Sequence, residues 1–266
     1  MAPSLELTHY PDLESQVTAI ENDGFAYFPN YLSKDEVAEL RELMDRTEAN
    51  PDYFDRAKSA ENGDFYERHL NNAFNRDPIY LNFIDKPGII ELAEAILGQD
   101  CHIIGMTAWK TGPGRPDQNL HADYLPISLP ADIMADPRVK VPIFIMTMHY
   151  YLDDLTEELG PTQFIPGSHA SGRRPDGDLE WKGVGPHNIM CNAGDGLMFR
   201  SEVWHRGTAN KSDKIRYLLQ VHYAQRMVTQ KFPPYLHKFG FDEVILGQAT
   251  PRQKRLLGDH KKGAYD

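Results

Sequence analysis

Cysteine is scarce in this sequence, and long apolar runs are missing. The 266 residues include two cysteines, Cys101 and Cys191, which are too few for a disulfide framework and show no metal-type spacing. No apolar run approaches the roughly 18 residues of a transmembrane helix. The N-terminal "MAPSLELTHYPDLES" lacks the basic and apolar regions of a secretory signal. We therefore expect a cytoplasmic protein without a membrane partner.

Positive charge is also in short supply. Lysine and arginine number 28 against 39 aspartates and glutamates, which gives a net charge of −11. Such a field repels nucleic acid and anionic membrane surfaces, so neither is an expected partner. An anionic small molecule can still bind, but only where the fold places a cation beside it.

Low-complexity linkers and internal repeats are missing too, so we expect one domain over residues 1–266. Its first part, about residues 1–98, carries amphipathic helical patterns. From about residue 99 to 226, short runs rich in β-branched and aromatic residues alternate with Gly, Pro, Asn and Asp, as in an antiparallel sandwich or barrel. The fold class is therefore mainly β with flanking helices. A C-terminal tail, about residues 227–266, contains a basic stretch that we expect to form a solvated helix.

A histidine and an aspartate stand two residues apart in "QNLHADY", residues 118–124. In an extended segment such residues point to the same side, so His121 and Asp123 can bind one ion together. An imidazole nitrogen with a carboxylate oxygen suits a borderline divalent metal. This pair alone is common and fits a surface loop equally well, so a third ligand is needed.

His205 follows a strand-like run and is the candidate for the third ligand. Two histidines and one carboxylate occupy one face of an octahedron and leave three positions open, which is the facial triad of non-haem iron(II) oxygenases. A structural zinc site would instead be closed by four ligands, usually with cysteine.

Arg216 lies eleven residues after His205, in the run "KIRYLLQVHY". Strand alternation predicts one face with Arg216, Leu218, Gln220 and His222, and an opposite face with Tyr217, Leu219, Val221 and Tyr223. An arginine on an inward face needs a partner, because an unpaired buried charge is costly. A dicarboxylate held by the guanidinium fork is one such partner, although an exposed strand arginine also fits the pattern.

Together, Gln118-x-x-His121-x-Asp123, the stretch "GPTQFIPGSH" at 160–169, His205 and Arg216 resemble the phytanoyl-CoA dioxygenase family. The resemblance runs from about "DGFAYFPNYLS" to "VHYAQR", most of the chain. It implies a double-stranded β-helix, a jelly-roll barrel of the cupin type, that binds Fe(II), takes 2-oxoglutarate as co-substrate and consumes O2. It assigns the metal to His121, Asp123 and His205, and 2-oxoglutarate to Arg216, Gln118 and Thr162.

The activity implied by the resemblance is oxidation of a small organic molecule, coupled to decarboxylation of 2-oxoglutarate to succinate and CO2. Related halogenases carry a small residue at the position of Asp123, so its carboxylate favours oxygen insertion, first of all hydroxylation, for example in natural-product biosynthesis. Two alternatives stay open. One is a non-catalytic β-barrel binding protein, which the full ligand set disfavours. The other is a metal-dependent barrel enzyme that does not use 2-oxoglutarate, which Arg216 disfavours.

The primary substrate is expected between the barrel mouth and residues 66–78. The stretch "YERHLNNAFNRDP" shows no clean helical or strand period, so we expect an irregular cover that turns His69, Asn72 and Phe74 toward the substrate. A plain surface loop fits the composition equally well. His149, in a later strand-like run, is a further candidate for the pocket lining.

Overall fold

The computed structural model describes residues 2–58, 65–134, 136, 138–232 and 240–262, in which helices and strands are joined by long loops. Its helices are α1 (Leu13–Asn22), α2 (Lys34–Arg46), α3 (Ile89–Leu97), α4 (Ala131–Met134), α5 (Glu243–Gln248) and α6 (Pro251–Leu256). Its strands are β1 (Phe25–Phe28), β2 (Arg56–Lys58), β3 (Glu67–Asn71), β4 (His102–Thr111), β5 (Ile145–Tyr151), β6 (Thr162–Phe164), β7 (His187–Asn188), β8 (Gly196–Arg200), β9 (His205–Gly207) and β10 (Arg216–Ala224).

The strands form a larger and a smaller antiparallel sheet. The larger sheet has the order β1-β8-β5-β10-β4-β3-β2, and the smaller sheet has the order β7-β6-β9. An apolar cluster joins them, because Phe164 of the smaller sheet packs with Phe199 and Leu218 of the larger one. This arrangement confirms the expected fold class, a mainly β jelly roll with flanking helices.

Helix α2 shows how the local sequence sets the element boundaries. The Ser33 hydroxyl accepts a hydrogen bond from the Glu36 N–H at 3.2 Å, and the Glu36 carboxylate accepts one from the Ser33 N–H at 2.8 Å. This reciprocal capping box satisfies N–H groups that have no partner inside the helix. The helix buries Leu40, Leu43 and Met44 against the larger sheet.

Strand β10 lies in the middle of the larger sheet, between β4 and β5. The predicted alternation of its side chains is confirmed. Tyr217, Leu219, Val221 and Tyr223 belong to the core under the helices, and Arg216, Leu218, Gln220 and His222 line a cavity on the other side. The strand therefore presents its charged and amide side chains to the cavity on one face and packs into the core with the other.

The first 98 residues are less helical than expected. Strands β1, β2 and β3 all belong to the larger sheet, at its two edges. The expected irregular cover at 66–78 is wrong for its first half, because β3 pairs with β4 along five residue positions. The strand period was obscured because β3 buries Glu67 and Leu70 while its other residues are half-buried.

Two further expectations for packing are wrong. Phe74 does not face a substrate, because it is 1% exposed and its ring packs against Phe232 at a centroid distance of 4.7 Å. The basic tail helix α6 is not simply solvated, because Leu256 is fully buried and Gln253 donates a hydrogen bond to the Leu81 carbonyl at 3.0 Å. No helix within the described ranges is both long and apolar enough to cross a bilayer.

Candidate metal and co-substrate site

A cavity of about 200 Å³ opens between the two sheets. Its walls come from β3, β4, β5 and β10 on one side and from β6 and β9 on the other. The residues predicted as metal and co-substrate ligands all line it, and so do His69 and His149. Asn72 lines a neighbouring cavity of about 170 Å³ instead, and Phe74 lines neither.

The three candidate metal ligands converge at one point on the cavity wall. Asp123 Oδ1 lies 3.5 Å from His121 Nε2 and 3.6 Å from His205 Nε2. One ligand atom from each residue fits within 4.8 Å of the others. Ligand atoms that each lie about 2.0–2.2 Å from a shared ion can have such separations. The backbone makes this convergence possible, because His121 and His205 exchange N–H···O bonds of 3.0 and 2.8 Å across an isolated bridge.

Hydrogen bonds to main-chain carbonyls orient both imidazole rings. His121 Nδ1 lies 2.8 Å from the Asn119 oxygen, and His205 Nδ1 lies 2.9 Å from the Val203 oxygen. A carbonyl only accepts, so each Nδ1 carries a proton, and each Nε2 is the atom left to bind a metal once it is deprotonated. This is the arrangement that fixes the ring orientation of metal-binding histidines.

The charge state of the cluster suits a cation. Burial alone would raise the pKa of Asp123, but the charge that His205 carries in acid and the hydrogen bond from His121 hold it well below its usual range. Burial lowers the pKa of His205. At neutral pH the cluster therefore presents a carboxylate and, at His205, a neutral imidazole, which are the protonation states that ligate metals.

Arg216 marks one end of the cavity, which we call the Arg216 end; it comprises Thr111, Arg115, Gln118, Thr162, Gly207 and Arg216. The Arg216 side chain is buried, and its Nη1 atom has no hydrogen-bond partner among the described residues. Burial, and then the nearby charge of Arg115, lower its pKa to about 10, so it stays cationic at neutral pH. An unpaired buried guanidinium is costly, which indicates that an anionic ligand belongs there.

Neighbouring residues give the Arg216 end its shape. Gln118 Oε1 accepts a hydrogen bond from the Gly207 N–H at 2.7 Å. A Cβ atom at position 207 would lie 3.6 Å from Arg216 Nη2 and 3.1 Å from Gln118 Oε1, so glycine keeps this space open. Thr162 pairs with Gly207 across β6 and β9. The charge of Arg115 is balanced by Glu67, at 3.2 Å.

A chain of contacts crosses the cavity wall from β2 to β5. Trp109 Nε1 donates to Gln220 Oε1 at 2.7 Å, which leaves the Gln220 amide nitrogen to donate to His149 Nε2 at 2.8 Å. The His69 ring stacks on Trp109 at a centroid distance of 3.8 Å and receives a hydrogen bond from Arg56 Nε at 3.0 Å. Burial keeps the pKa of His149 well below its usual value, consistent with this accepting role.

The opposite end of the cavity, the Lys231 end, comprises Ile104, Ile145, Ser201, His222 and Lys231. Sequence patterns alone did not single out Lys231, Ser201 or Arg115. The "GPGRPD" run offered a weak signal for Arg115, since a cation in a loop next to candidate ligands can enter a site. Lys231 lies outside any strand, and only the fold brings it back to β4.

Comparisons with known proteins agree with this geometry. A model of the family described as Phytanoyl-CoA dioxygenase (PhyH) matches residues 20–218. The uncharacterized protein Rv1501 of Mycobacterium tuberculosis is 26% identical over 190 residues, which cover 68% of this chain and 63% of that protein. The L-proline trans-4-hydroxylase of Streptomyces griseoviridis is 27% identical over 156 residues, which cover 56% of this chain and 53% of the enzyme. The chain thus spans less than two thirds of the length of both relatives.

A solved structure shares the fold. The non-heme alpha ketoglutarate dependent epimerase SnoN from nogalamycin biosynthesis superposes with a TM-score of 0.62 at 20% sequence identity. The match covers 84% of this chain and 88% of SnoN. At this identity, the similarity shows a shared fold.

Proposed function

Since the chain belongs to the phytanoyl-CoA dioxygenase family, we propose that it is an Fe(II)- and 2-oxoglutarate-dependent dioxygenase. The proposed reaction hydroxylates a small organic molecule with O2 while 2-oxoglutarate is decarboxylated to succinate and CO2. His121, Asp123 and His205 are the proposed iron ligands. Arg216 is the proposed partner of the distal carboxylate of 2-oxoglutarate, with Gln118 and Thr162 beside it.

One observation carries this proposal: a three-ligand cluster and an unpaired buried guanidinium line the same cavity. The cluster fits the metal, because two imidazoles and a carboxylate leave coordination positions open. Arg216 fits the co-substrate, because a guanidinium fork binds a carboxylate in a bidentate manner. A binding protein without catalysis has no need of both features, and a metal enzyme without 2-oxoglutarate leaves Arg216 without a partner.

The chain's own residues contribute orientation and charge. Main-chain carbonyls of Asn119 and Val203 hold the two imidazoles with Nε2 toward the ion site. Arg216 fixes one end of 2-oxoglutarate, so that the keto end can point to the iron. The iron, when bound, supplies the O2 activation that oxidation of a carbon–hydrogen bond requires. The Lys231 end of the same cavity is not used by the proposed iron and 2-oxoglutarate ligands, and we place the primary substrate there.

Two considerations support hydroxylation of a small molecule. Asp123 supplies a protein carboxylate to the cluster, so no coordination position is reserved for a halide. One relative is named as a hydroxylase of L-proline, and SnoN is named as a biosynthetic enzyme of nogalamycin. Natural-product or amino-acid modification is therefore the context that we propose for this chain.

Formation of succinate tests the proposal directly. Purified protein with Fe(II), ascorbate and O2 should convert 2-oxoglutarate to succinate, and omission of Fe(II) should stop the conversion. The Arg216→Met variant should lose most of this activity, whereas Arg206→Met, a change on strand β9 of the smaller sheet, should keep it. Iron binding without any succinate formation would favour a metal enzyme of another type, and absence of iron binding would favour a non-catalytic protein.

A further inference from the structure

The Lys231 end of the cavity has a feature that the proposed iron and 2-oxoglutarate sites do not use: a cation that has no acidic partner among the described residues. Lys231 lines both adjoining cavities, so it lies where they meet. Within the described ranges, no carboxylate forms an ion pair with its ammonium group. Its main chain is anchored, because the Lys231 N–H donates to the Ile104 carbonyl at 3.0 Å. Its exposed side chain can therefore reach a ligand without moving the backbone.

Few acidic groups among the described residues surround Lys231. Asp123 is the one carboxylate among the described residues lining the larger cavity, and the described lining of the smaller cavity holds none. His69 and His222 remain neutral, since burial lowers the pKa of each to about 3. Once Asp123 ligates a cation, nothing in the described lining balances Lys231.

A polar atom and an apolar floor complete this end. The Ser201 hydroxyl is buried, lines the cavity and has no hydrogen-bond partner among the described residues. Ile104 and Ile145 pack together next to it and form an apolar surface. A buried hydroxyl without a partner costs free energy unless a ligand completes its hydrogen bonds.

Building on the proposed function, we propose that the primary substrate is a small carboxylic acid whose carboxylate pairs with Lys231. Its carbon skeleton lies on Ile104 and Ile145, and a polar group of the substrate hydrogen-bonds to Ser201. A phosphate is a poorer match, because phosphate sites commonly use arginine forks or several main-chain N–H groups rather than one lysine. The acidic group is thus held away from the iron, and the carbon to be oxidised lies between them.

The position along β10 keeps the two acids apart. Arg216 and His222 are six residues apart on this strand, and a rise of about 3.3 Å per residue separates them by roughly 20 Å. Thr147 holds the His222 ring through a contact of 3.0 Å between its hydroxyl and Nδ1. The 2-oxoglutarate carboxylate and the substrate carboxylate therefore meet different cations at different ends.

Ligand binding to a non-reacting form of the protein tests this assignment. The protein is loaded with Ni(II) and 2-oxoglutarate without O2, and calorimetry then measures the dissociation constants of acetate, cyclopentanecarboxylate, L-proline and phenylacetate. Each acid is compared with its carboxamide, and inorganic phosphate is titrated separately. The variants are Lys231→Gln, Lys231→Arg and Ser201→Ala, with Lys34→Gln at the start of α2 as the matched control.

At least one acid should bind tenfold or more tightly than its amide to the wild-type and Lys34→Gln proteins. Lys231→Gln should lose this preference, Lys231→Arg should keep most of it, and Ser201→Ala should weaken binding a few-fold. The assignment is overturned if no acid is preferred, if Lys231→Gln keeps the preference, or if phosphate binds more tightly than every acid. The titration with 2-oxoglutarate is a separate readout: if that ligand fails to bind, the proposed function fails, while the acid–amide comparison still reports on Lys231.

Discussion

The Arg216 end and the Lys231 end of the cavity hold positive charge in different ways. Arg216 is buried on a central strand, and the adjacent Arg115 is neutralised by Glu67. Lys231 is exposed in an irregular segment and is fixed through one main-chain hydrogen bond. A cation held rigidly in the sheet suits a ligand that is always the same molecule, as the proposed co-substrate 2-oxoglutarate is. A lysine on a flexible side chain can instead adjust to the size of the primary substrate. The difference suggests that co-substrate binding is built into the sheet and substrate choice into the segments beside it.

The most severe test disrupts the proposed metal-ligand cluster of His121, Asp123 and His205. His205→Ala should abolish iron-dependent succinate formation and lower Fe(II) affinity, because two ligands remain where three are needed. The fold should persist, since the His205 main-chain bonds do not depend on its ring. Metal analysis and circular dichroism check both statements, with His187→Ala on β7 as the matched histidine control. Full activity of His205→Ala would remove this residue from the site.

A change outside both ends should affect stability and leave ligand affinity alone. Phe74→Ala removes a core ring, and such truncations cost about 3–5 kcal/mol of unfolding free energy. The KM for 2-oxoglutarate should stay the same at a temperature where the variant is folded. Denaturant unfolding and steady-state kinetics measure the two quantities. A clear change in this KM would show that packing at Phe74 influences the binding of 2-oxoglutarate.

Arg216→Lys changes the Arg216 end alone, because it replaces the planar guanidinium fork with a flexible point charge. The KM for 2-oxoglutarate should rise about ten- to a hundred-fold, the equivalent of losing a charge-assisted contact of about 1.5–3 kcal/mol. The affinity for the proposed substrate acids should not change. An Arg206→Lys control reports on nonspecific effects of this exchange. Equal losses for both ligands would show that the two ends are not independent.

The smallest expected effect concerns acid stability and depends on His69 of strand β3. Burial, and then the charge of Arg56, lower the pKa of His69 to about 3 from an unfolded value near 6.5. Between these two pKa values the unfolded chain binds a proton at His69 and the folded chain does not. The contribution of neutral His69 to the free energy of unfolding is therefore complete above pH 6.5 and is lost as the pH falls. Between pH 7.5 and 5, the Tm of metal-free His69→Gln should fall less than that of the wild type. Parallel declines would show that His69 titrates normally.

The sequence was most informative where residue periodicity and chemistry coincided. The alternation of β10 predicted which residues share a face with Arg216, and the two-residue spacing of His121 and Asp123 placed both toward one point. The fold class followed from the strand pattern and the family resemblance. These features are local or recur at fixed spacings, so they can be recognised from the order of residues alone.

Other features depend on tertiary contacts that no local pattern encodes. Strand β3 lacked a clear period, because Glu67 is buried as a partner for Arg115, 48 residues away. Phe74 was assigned to the pocket from its neighbours in sequence, although its ring meets Phe232 and Phe241 in the core. Lys231 acquires its position only when the segment after β10 returns to β4. Long-range pairing decides burial in each case, and composition does not report it.

The main-chain bridge between His121 and His205 also has a consequence for the lifetime of the folded protein. It joins two segments that are 84 positions apart, and an ion on their imidazoles would act as a reversible cross-link over that interval. Binding that favours the folded state adds about 2.7 kcal/mol at a free ion concentration one hundred times the dissociation constant. Under scarce iron, this region should open more often and exchange its amide hydrogens faster. Proteases would then remove the empty protein first, so the supply of iron would set its abundance as well as its activity.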